Sequence, residues 1–217
     1  IPTWWRKWRG IDFGFAAPFC CLWLAKDYHT GLYYFYRELY QAGLTDAEQA
    51  IQVRELSASE QYVLSLADPS MWTKRGDIVG LSPADVYEHN GVPLTKANNA
   101  RIHGALAWRR ALALAPRGNC TLCGAALTQV GPCPECRALN SGQQTSRLRI
   151  MRSCRNLIRT LQDLPRDDGN PDDVDTRTED HAYDAGRYVL AAALGDTVDE
   201  PLETPGLGPM HNPLKPR

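Results

Sequence analysis

A stretch near the C-terminal end carries side chains suited to chemistry: Glu179-Asp180-His181-Ala182-Tyr183-Asp184-Ala185-Gly186-Arg187-Tyr188. Ala, Leu, Arg and Tyr dominate residues 179–194 and no Pro interrupts them, which predicts one helix. Ala182, Ala185, Val189 and Ala192/Ala193 give it a thin apolar face suited to close packing on a sheet. His181 and Asp184 stand at i and i+3, and Asp180 and Asp184 at i and i+4, so the three share one region of the helix surface. They read as metal ligands or acid/base groups, or as the solvated acidic first turn that a helix dipole favours. Two more acids lie upstream. Asp12 sits within the apolar run Gly10-Ile11-Asp12-Phe13-Gly14-Phe15, where a buried lone carboxylate calls for a partner such as a metal, unless the position is a capped turn or an exposed edge. Asp68 ends the apolar strand predicted at 62–67, just before Pro69. Strand ends in sheets with crossover helices gather ligands, although Asp before Pro also starts turns.

The sharpest spacing belongs to the cysteines. Cys120-Thr-Leu-Cys123 and Cys133-Pro-Glu-Cys136 are two C-x-x-C knuckles, and four thiolates so arranged can converge tetrahedrally on one Zn²⁺. An all-Cys site is closed, so this zinc is expected to hold a small lobe together and to carry no chemistry. Redox-active pairs are the other reading. Cys20, Cys21 and Cys154 lie in apolar surroundings, and seven cysteines in this pattern fit a reducing compartment better than a disulfide framework.

Elements must position these groups. Apolar and aromatic runs predict strands at 10–15, 19–25 and 32–39, joined by short turns as an antiparallel meander. Thr45 and Glu48 form a capping box that opens a helix. The strand at 62–67 follows, then a helix from Ser82 to a C-cap near Asn90-Gly91, a short strand at 92–94 and a helix over 98–114. A strand at 148–151 and a helix over 154–161 come after the cysteines, and an Asp-rich connection at 164–178 leads into the helix of the opening stretch. Arg101, Arg147, Arg149 and Arg152 are candidate phosphate contacts, or members of solvated faces. The chain of 217 residues is 43% hydrophobic and 23% charged with a formal net charge of −1, enough for one substantial domain with a small appendage. Near-neutral charge argues against a wholly basic nucleic-acid binder but allows a local basic groove. No run is long enough to cross a bilayer. The Trp- and Arg-rich start has no apolar segment of a signal peptide and no initiator Met, so residues 1–9 are expected to be the end of an interdomain linker in a longer protein. The Pro- and Gly-rich residues 196–217 are expected to be disordered.

The order β-β-β-α-β-α-β-α, with acids in the first strand, after the fourth and on a late helix, resembles the ribonuclease H-like fold. That implies an α/β domain over 10–195 with a mixed sheet of five or more strands flanked by helices, and 116–146 as a zinc-ribbon-like insertion. Gly10-Ile-Asp-Phe-Gly, Ala67-Asp-Pro-Ser-Met-Trp72, Leu148-Arg-Ile-Met-Arg-Ser-Cys-Arg-Asn-Leu-Ile158 and Glu179 to Tyr188 together look like the nuclease domain of a tailed-phage terminase large subunit. The resemblance implies an endonuclease that cuts concatemeric double-stranded viral DNA during genome packaging. Asp12, Asp68 and Asp184 match metal-binding acids for one or two Mg²⁺ or Mn²⁺ ions, His181 matches a histidine used near the metal, and Asp180 matches an acidic position with no assigned direct role. It also implies a packaging ATPase on a missing N-terminal part, since the chain has no G-x-x-x-x-G-K-[ST] loop. A portal, a small terminase subunit and the host bacterial cytoplasm complete the implied setting. The zinc knuckles are not part of that family pattern. Rival readings are a resolvase- or recombinase-type nuclease of the same fold, and a non-catalytic zinc-containing module that binds DNA or a partner.

Overall fold

The computed structural model describes residues 1–27, 29–74, 80–114, 119–120, 122–127, 131–140 and 146–195. Three strands open the chain: β1 (Arg6–Asp12), β2 (Phe19–Lys26) and β3 (Tyr33–Gln41). Helix α1 (Asp46–Ser57), strand β4 (Leu64–Ala67), a short 3-10 turn (Pro69–Trp72), helix α2 (Pro83–His89), strand β5 (Thr95–Lys96) and helix α3 (Arg101–Leu112) follow. A small hairpin of β6 (Gly131–Pro132) and β7 (Leu139–Asn140) belongs to the cysteine lobe. Strand β8 (Leu148–Ile150) and helices α4 (Arg155–Asp163) and α5 (His181–Gly195) complete the described chain.

The six-stranded sheet has the order β5-β4-β1-β2-β3-β8. β1, β2 and β3 pair antiparallel, whereas β4 runs parallel to β1, β5 to β4, and β8 to β3. This is the ribonuclease H-like arrangement that the element order predicts, with β8 as a sixth strand. Period-two alternation sends the central strands' side chains into two cores. On one face Trp8, Cys20, Leu22, Leu24 and Phe35 meet Trp108 of α3, Leu157 of α4 and Ala185 and Val189 of α5. On the other, Ile11, Phe19, Cys21 and Trp23 meet Val53 of α1 and Tyr87 of α2. The predicted capping box of α1 is formed, with Thr45 Oγ1 accepting from the Glu48 amide and Glu48 accepting from the Thr45 amide. Ser82 and Asp85 do the same for α2.

Some boundaries differ from the sequence expectation. β1 begins at Arg6, so part of the Trp- and Arg-rich start is a central strand. Lys7 and Arg9 are buried there because each finds partners. Arg9 donates to Ser57 and Ser65 Oγ atoms at 2.7–2.9 Å and lies over the Tyr62 ring. Lys7 Nζ donates to the carbonyls of Pro2 and Thr3 at 3.0 and 3.2 Å. The strand expected at 92–94 appears instead at Thr95–Lys96, beyond Pro93, which has no amide to give a ladder. The Asp-rich connection folds back on itself through an Arg166–Val174 bridge. The tail expected to be disordered lies outside the described residues. No helix among the described residues is long and apolar enough to cross a membrane.

The cysteine lobe is docked at one end of the sheet. Leu122 packs so closely on the β2–β3 turn that a Cβ at Gly31 would fall 2.1 Å from its Cδ1, and Arg147 Nη2 donates to the Leu122 carbonyl at 2.6 Å. Asp12 pairs with Cys20 at the opposite end of the β1–β2 ladder. The lobe and the acids therefore occupy opposite ends.

Candidate active site

Strand register brings the first two acids together. Ile11 pairs with Ala67 in the parallel β1–β4 ladder, so Asp12 and Asp68 leave adjacent strands side by side, and the Asp68 amide donates to the Ile11 carbonyl at 3.3 Å. Asp68 also caps the following 3-10 turn, accepting from the Ser70 amide at 2.7 Å. Both readings of Asp68, strand-end ligand and turn initiator, thus describe the same residue. Helix α5 crosses this strand end because Gly10 lets it: a Cβ there would lie 2.1 Å from the Ala185 carbonyl oxygen. Only glycine permits so close a backbone approach. One turn further back, His181 faces Asp12, with Nδ1 and Oδ2 2.9 Å apart. Glu179 anchors the start of the helix, accepting from Arg159 at 2.7 Å and from Tyr40 at 2.6 Å.

The surroundings push Asp12 and Asp180 one way and Asp68 the other. Burial pushes the Asp12 carboxyl up to about 6 against the hydrogen bond from His181, and the negative charges of Asp184 and Asp68 push the same way. Asp180 also rises to about 6, through burial and its neighbour Asp184. The His181 imidazole is raised by its hydrogen bond to Asp12, which outweighs its own burial. Asp68 goes the other way: burial opposes its charge, but hydrogen bonds from Ser70 and Tyr188 and the nearby Arg187 hold it below the ordinary carboxylate value. The signs give a pH prediction. Asp12, Asp180 and His181 all bind protons more tightly folded than unfolded, so their contribution to stability is present at low pH and is lost as pH rises through about 6 and beyond. Melting curves of the zinc-loaded protein free of other divalent ions should show the carboxyls' share of this loss between pH 3.8 and about 6, and Asp12→Asn should flatten it. An unchanged slope in that variant would contradict the assignment.

Two residues not singled out from the sequence bind the acids together. Arg187, 3% exposed, donates from Nε to Asp184 Oδ1 at 2.7 Å and from Nη2 to the Tyr188 hydroxyl at 3.1 Å. Tyr188 in turn donates to Asp68 Oδ2 at 2.6 Å. The Asp184–Arg187 spacing of i and i+3 was the available signal for the first link; nothing local signals the second. Arg101, expected as a phosphate contact, lies inside the acid cluster. Its Nε is 2.6 Å from Asp173, its Nη1 3.4 Å from Asp184 and its Nη2 3.7 Å from Asp180. Arg147 and Arg149 donate to the backbone carbonyls of Leu122, Ser146 and Leu148, and Arg152 is exposed.

The four cysteines converge as their spacing predicts. Their sulfurs all lie within 4.8 Å of one another, with Cys120–Cys136 at 3.5 Å and Cys123–Cys133 at 3.6 Å. A tetrahedron of thiolates at the ordinary zinc–sulfur distance of about 2.3 Å has edges of about 3.8 Å, so the donor set fits zinc. The two knuckles repeat one geometry: the Gly124 amide donates to the Cys120 carbonyl and the Arg137 amide to the Cys133 carbonyl, with φ of 77° and 61° at those residues. Among the described residues no other group of three or more Cys, His, Asp or Glu side chains brings ligand atoms that close. The aspartates share one strand end, but each is turned towards its own protein partner, as unshielded like charges require.

No family model matches the sequence, and no curated protein matches it. Solved structures do. The large terminase of a thermophilic bacteriophage, in complex with ADP, superposes with a TM-score of 0.60 at 15% identity over 90% of this chain and 41% of its own. This chain thus spans less than half the length of that protein. The large-terminase nuclease domain of bacteriophage SPP1, with bound Mn, gives a TM-score of 0.53 at 16% identity, covering 86% of each chain. The large-terminase nuclease domain of P22 gives 0.51 at 13% identity over 88% of this chain and 83% of its own. The chain has the ribonuclease H-like fold of the large-terminase nuclease domains.

Proposed function

We propose that this chain is the nuclease portion of a phage large terminase: an endodeoxyribonuclease, dependent on Mg²⁺ or Mn²⁺, that cuts concatemeric double-stranded viral DNA during packaging. The observation that carries the reading is the placement of Asp12 and Asp68 at adjacent parallel strand ends beneath an α5 that brings Asp184 and His181 to the same place. Three carboxylates offer the hard oxygen donors that suit Mg²⁺ or Mn²⁺, and the raised Asp12 carboxyl is a buried acid in want of a cation.

Asp12, Asp68 and Asp184 would hold one or two such ions, whose chemistry is to activate a water and stabilise the leaving oxygen of the phosphodiester. Tyr188 and Arg187 hold Asp68 and Asp184 at the strand end, and carboxylate oxygens now turned to those partners would turn to the ions on binding. His181 is held by Asp12 through Nδ1, which leaves Nε2 to take or give a proton at the strand end. The exposed Arg152 is the best placed of the expected phosphate contacts, because Arg147 and Arg149 are engaged with backbone. Double-stranded DNA, an ATPase part of a longer chain, a portal, a small terminase subunit and the host bacterial cytoplasm belong to this same reading. Covalently closed plasmid distinguishes it from an end-dependent nuclease. Nicking followed by linearisation in Mn²⁺ or Mg²⁺ is expected, and degradation of linear DNA alone would overturn it.

The cysteine lobe is assigned one structural Zn²⁺ on Cys120, Cys123, Cys133 and Cys136. Because it docks at the sheet end remote from the acids, Cys133→Ser should remove one zinc per chain and lower the melting temperature. Cleavage by the folded variant should stay within about threefold of the parent, since thiolate ligation is closed to substrate. Zinc content by atomic absorption, followed by the plasmid assay, checks both halves. Loss of cleavage in the folded variant would place the lobe in the DNA path instead.

A further inference from the structure

Both carboxylate oxygens of Asp184 face guanidinium groups, and the two arginines are held very differently. Arg187 is fixed: it is 3% exposed, α3 presses Gly104 against it so that a Cβ there would lie 2.9 Å from the Arg187 Cβ, and it grips both oxygens of Asp184, Oδ1 from Nε at 2.7 Å and Oδ2 from Nη2 at 3.2 Å, besides reaching Tyr188. Arg101 is fastened most tightly at its far side, by Nε to Asp173 at 2.6 Å; towards the cluster it makes only a long hydrogen bond to Asp184 Oδ2 at 3.4 Å and an ion pair with Asp180 at 3.7 Å. Its side chain is 29% exposed, yet its Nη2 is buried without a hydrogen-bond partner among the described residues. Contacts to Asp184 and Asp180 as long as 3.4 and 3.7 Å act through charge more than through hydrogen bonding.

We propose that Arg101 is a displaceable internal counter-ion of the acid cluster, which a divalent cation must move aside to reach Asp184, so that Arg101 sets the metal concentration at which the site fills. The inference rests on the reading of the acids as a divalent-metal site. Arg187 stays on Asp184 in both states and keeps the carboxylate aimed. Arg101 is the member that yields, because it is the more exposed, holds Asp184 by the longer bond, and is anchored to Asp173 by a side that need not move. Two cations cannot share the same carboxylate edge at full charge without repulsion, so metal and Arg101 exclude each other there.

Calorimetric titration of Mn²⁺ into the zinc-loaded protein tests this without any measurement of cleavage. R101Q removes the competing charge and should bind Mn²⁺ about tenfold more tightly than the parent, whereas R101K keeps the charge and should stay within about threefold of it. Circular dichroism and zinc content confirm that the variants are folded. Mn²⁺ binding by R101Q that is equal to or weaker than the parent's overturns the inference and leaves the metal site standing. Equal tightening by R101K also overturns it, since charge would then not be the cause. Failure of parent and variant alike to bind Mn²⁺ overturns the inference together with the reading of the site.

Discussion

Asn at position 184 should destabilise the metal-free protein by about 3 kcal/mol, the cost of breaking a buried ion pair from one side. Asn at position 12 should leave stability unchanged or raise it. The two aspartates look equivalent as metal ligands, but the protein treats them oppositely. Asp184 neutralises Arg187, whose side chain is 4% exposed, and Asn would strand that guanidinium in a buried position. Asp12 carries its charge at a cost: burial and its acidic neighbours raise its carboxyl to about 6, so at pH 8 the ionised form is strained. An amide of the same shape removes the strain and can still accept from His181. Chemical denaturation of the two variants at pH 8, free of Mg²⁺ and Mn²⁺, separates them. Similar losses in both would mean that the ion pair, the raised Asp12, or both have been misread. Cleavage should fall at least about a thousandfold in each, because each loses a carboxylate proposed to hold the metal.

Replacing Gly10 by Val should cost about 3 kcal/mol or more, at the upper end of overpacking, and should abolish cleavage in whatever fraction still folds. Even a single Cβ at that position would meet a backbone oxygen, that of Ala185 at 2.1 Å, and the carbon behind it at 3.0 Å. A backbone carbonyl inside a helix cannot swing aside as a flexible side chain would, so α5 as a whole must lift from β1. His181 and Asp184 ride on that helix, and the 2.9 Å contact between His181 and Asp12 would open with it. Melting temperature and Mn²⁺ affinity measured on the same samples check the prediction. A stable Gly10→Val protein with undiminished Mn²⁺ binding would show that the close approach of α5 does not position the site.

The residues explain what could be read in advance. Asp12 stood out because an acid in an apolar run needs a reason, and Cys120, Cys123, Cys133 and Cys136 because their spacing has a geometric meaning whatever surrounds them. The capping boxes at Thr45 and Ser82 are local, and the helices they open were found. Lys7 and Arg9 hid the start of β1, since a basic residue marks an exposed position unless its partners are known, and those partners include Ser57 and Ser65 far along the chain. The contacts that hold the acids were hidden for the same reason. Tyr188 and Asp68 are 120 residues apart and Arg101 and Asp173 are 72 apart, so no periodicity within a helix or strand could link them. The location of the cysteine lobe depends on Leu122 meeting Gly31, a contact of shape that spacing alone cannot express.

The most direct measurement is cleavage of supercoiled plasmid at pH 8 in Mn²⁺ by the parent and by Asp12→Asn prepared identically, since that variant should be as stable as the parent and keep its zinc. Nicked and linear products from the parent alone are predicted. Equal cleavage by both, or none by a folded parent that binds Mn²⁺, would contradict the assignment of the acid cluster as the nuclease centre.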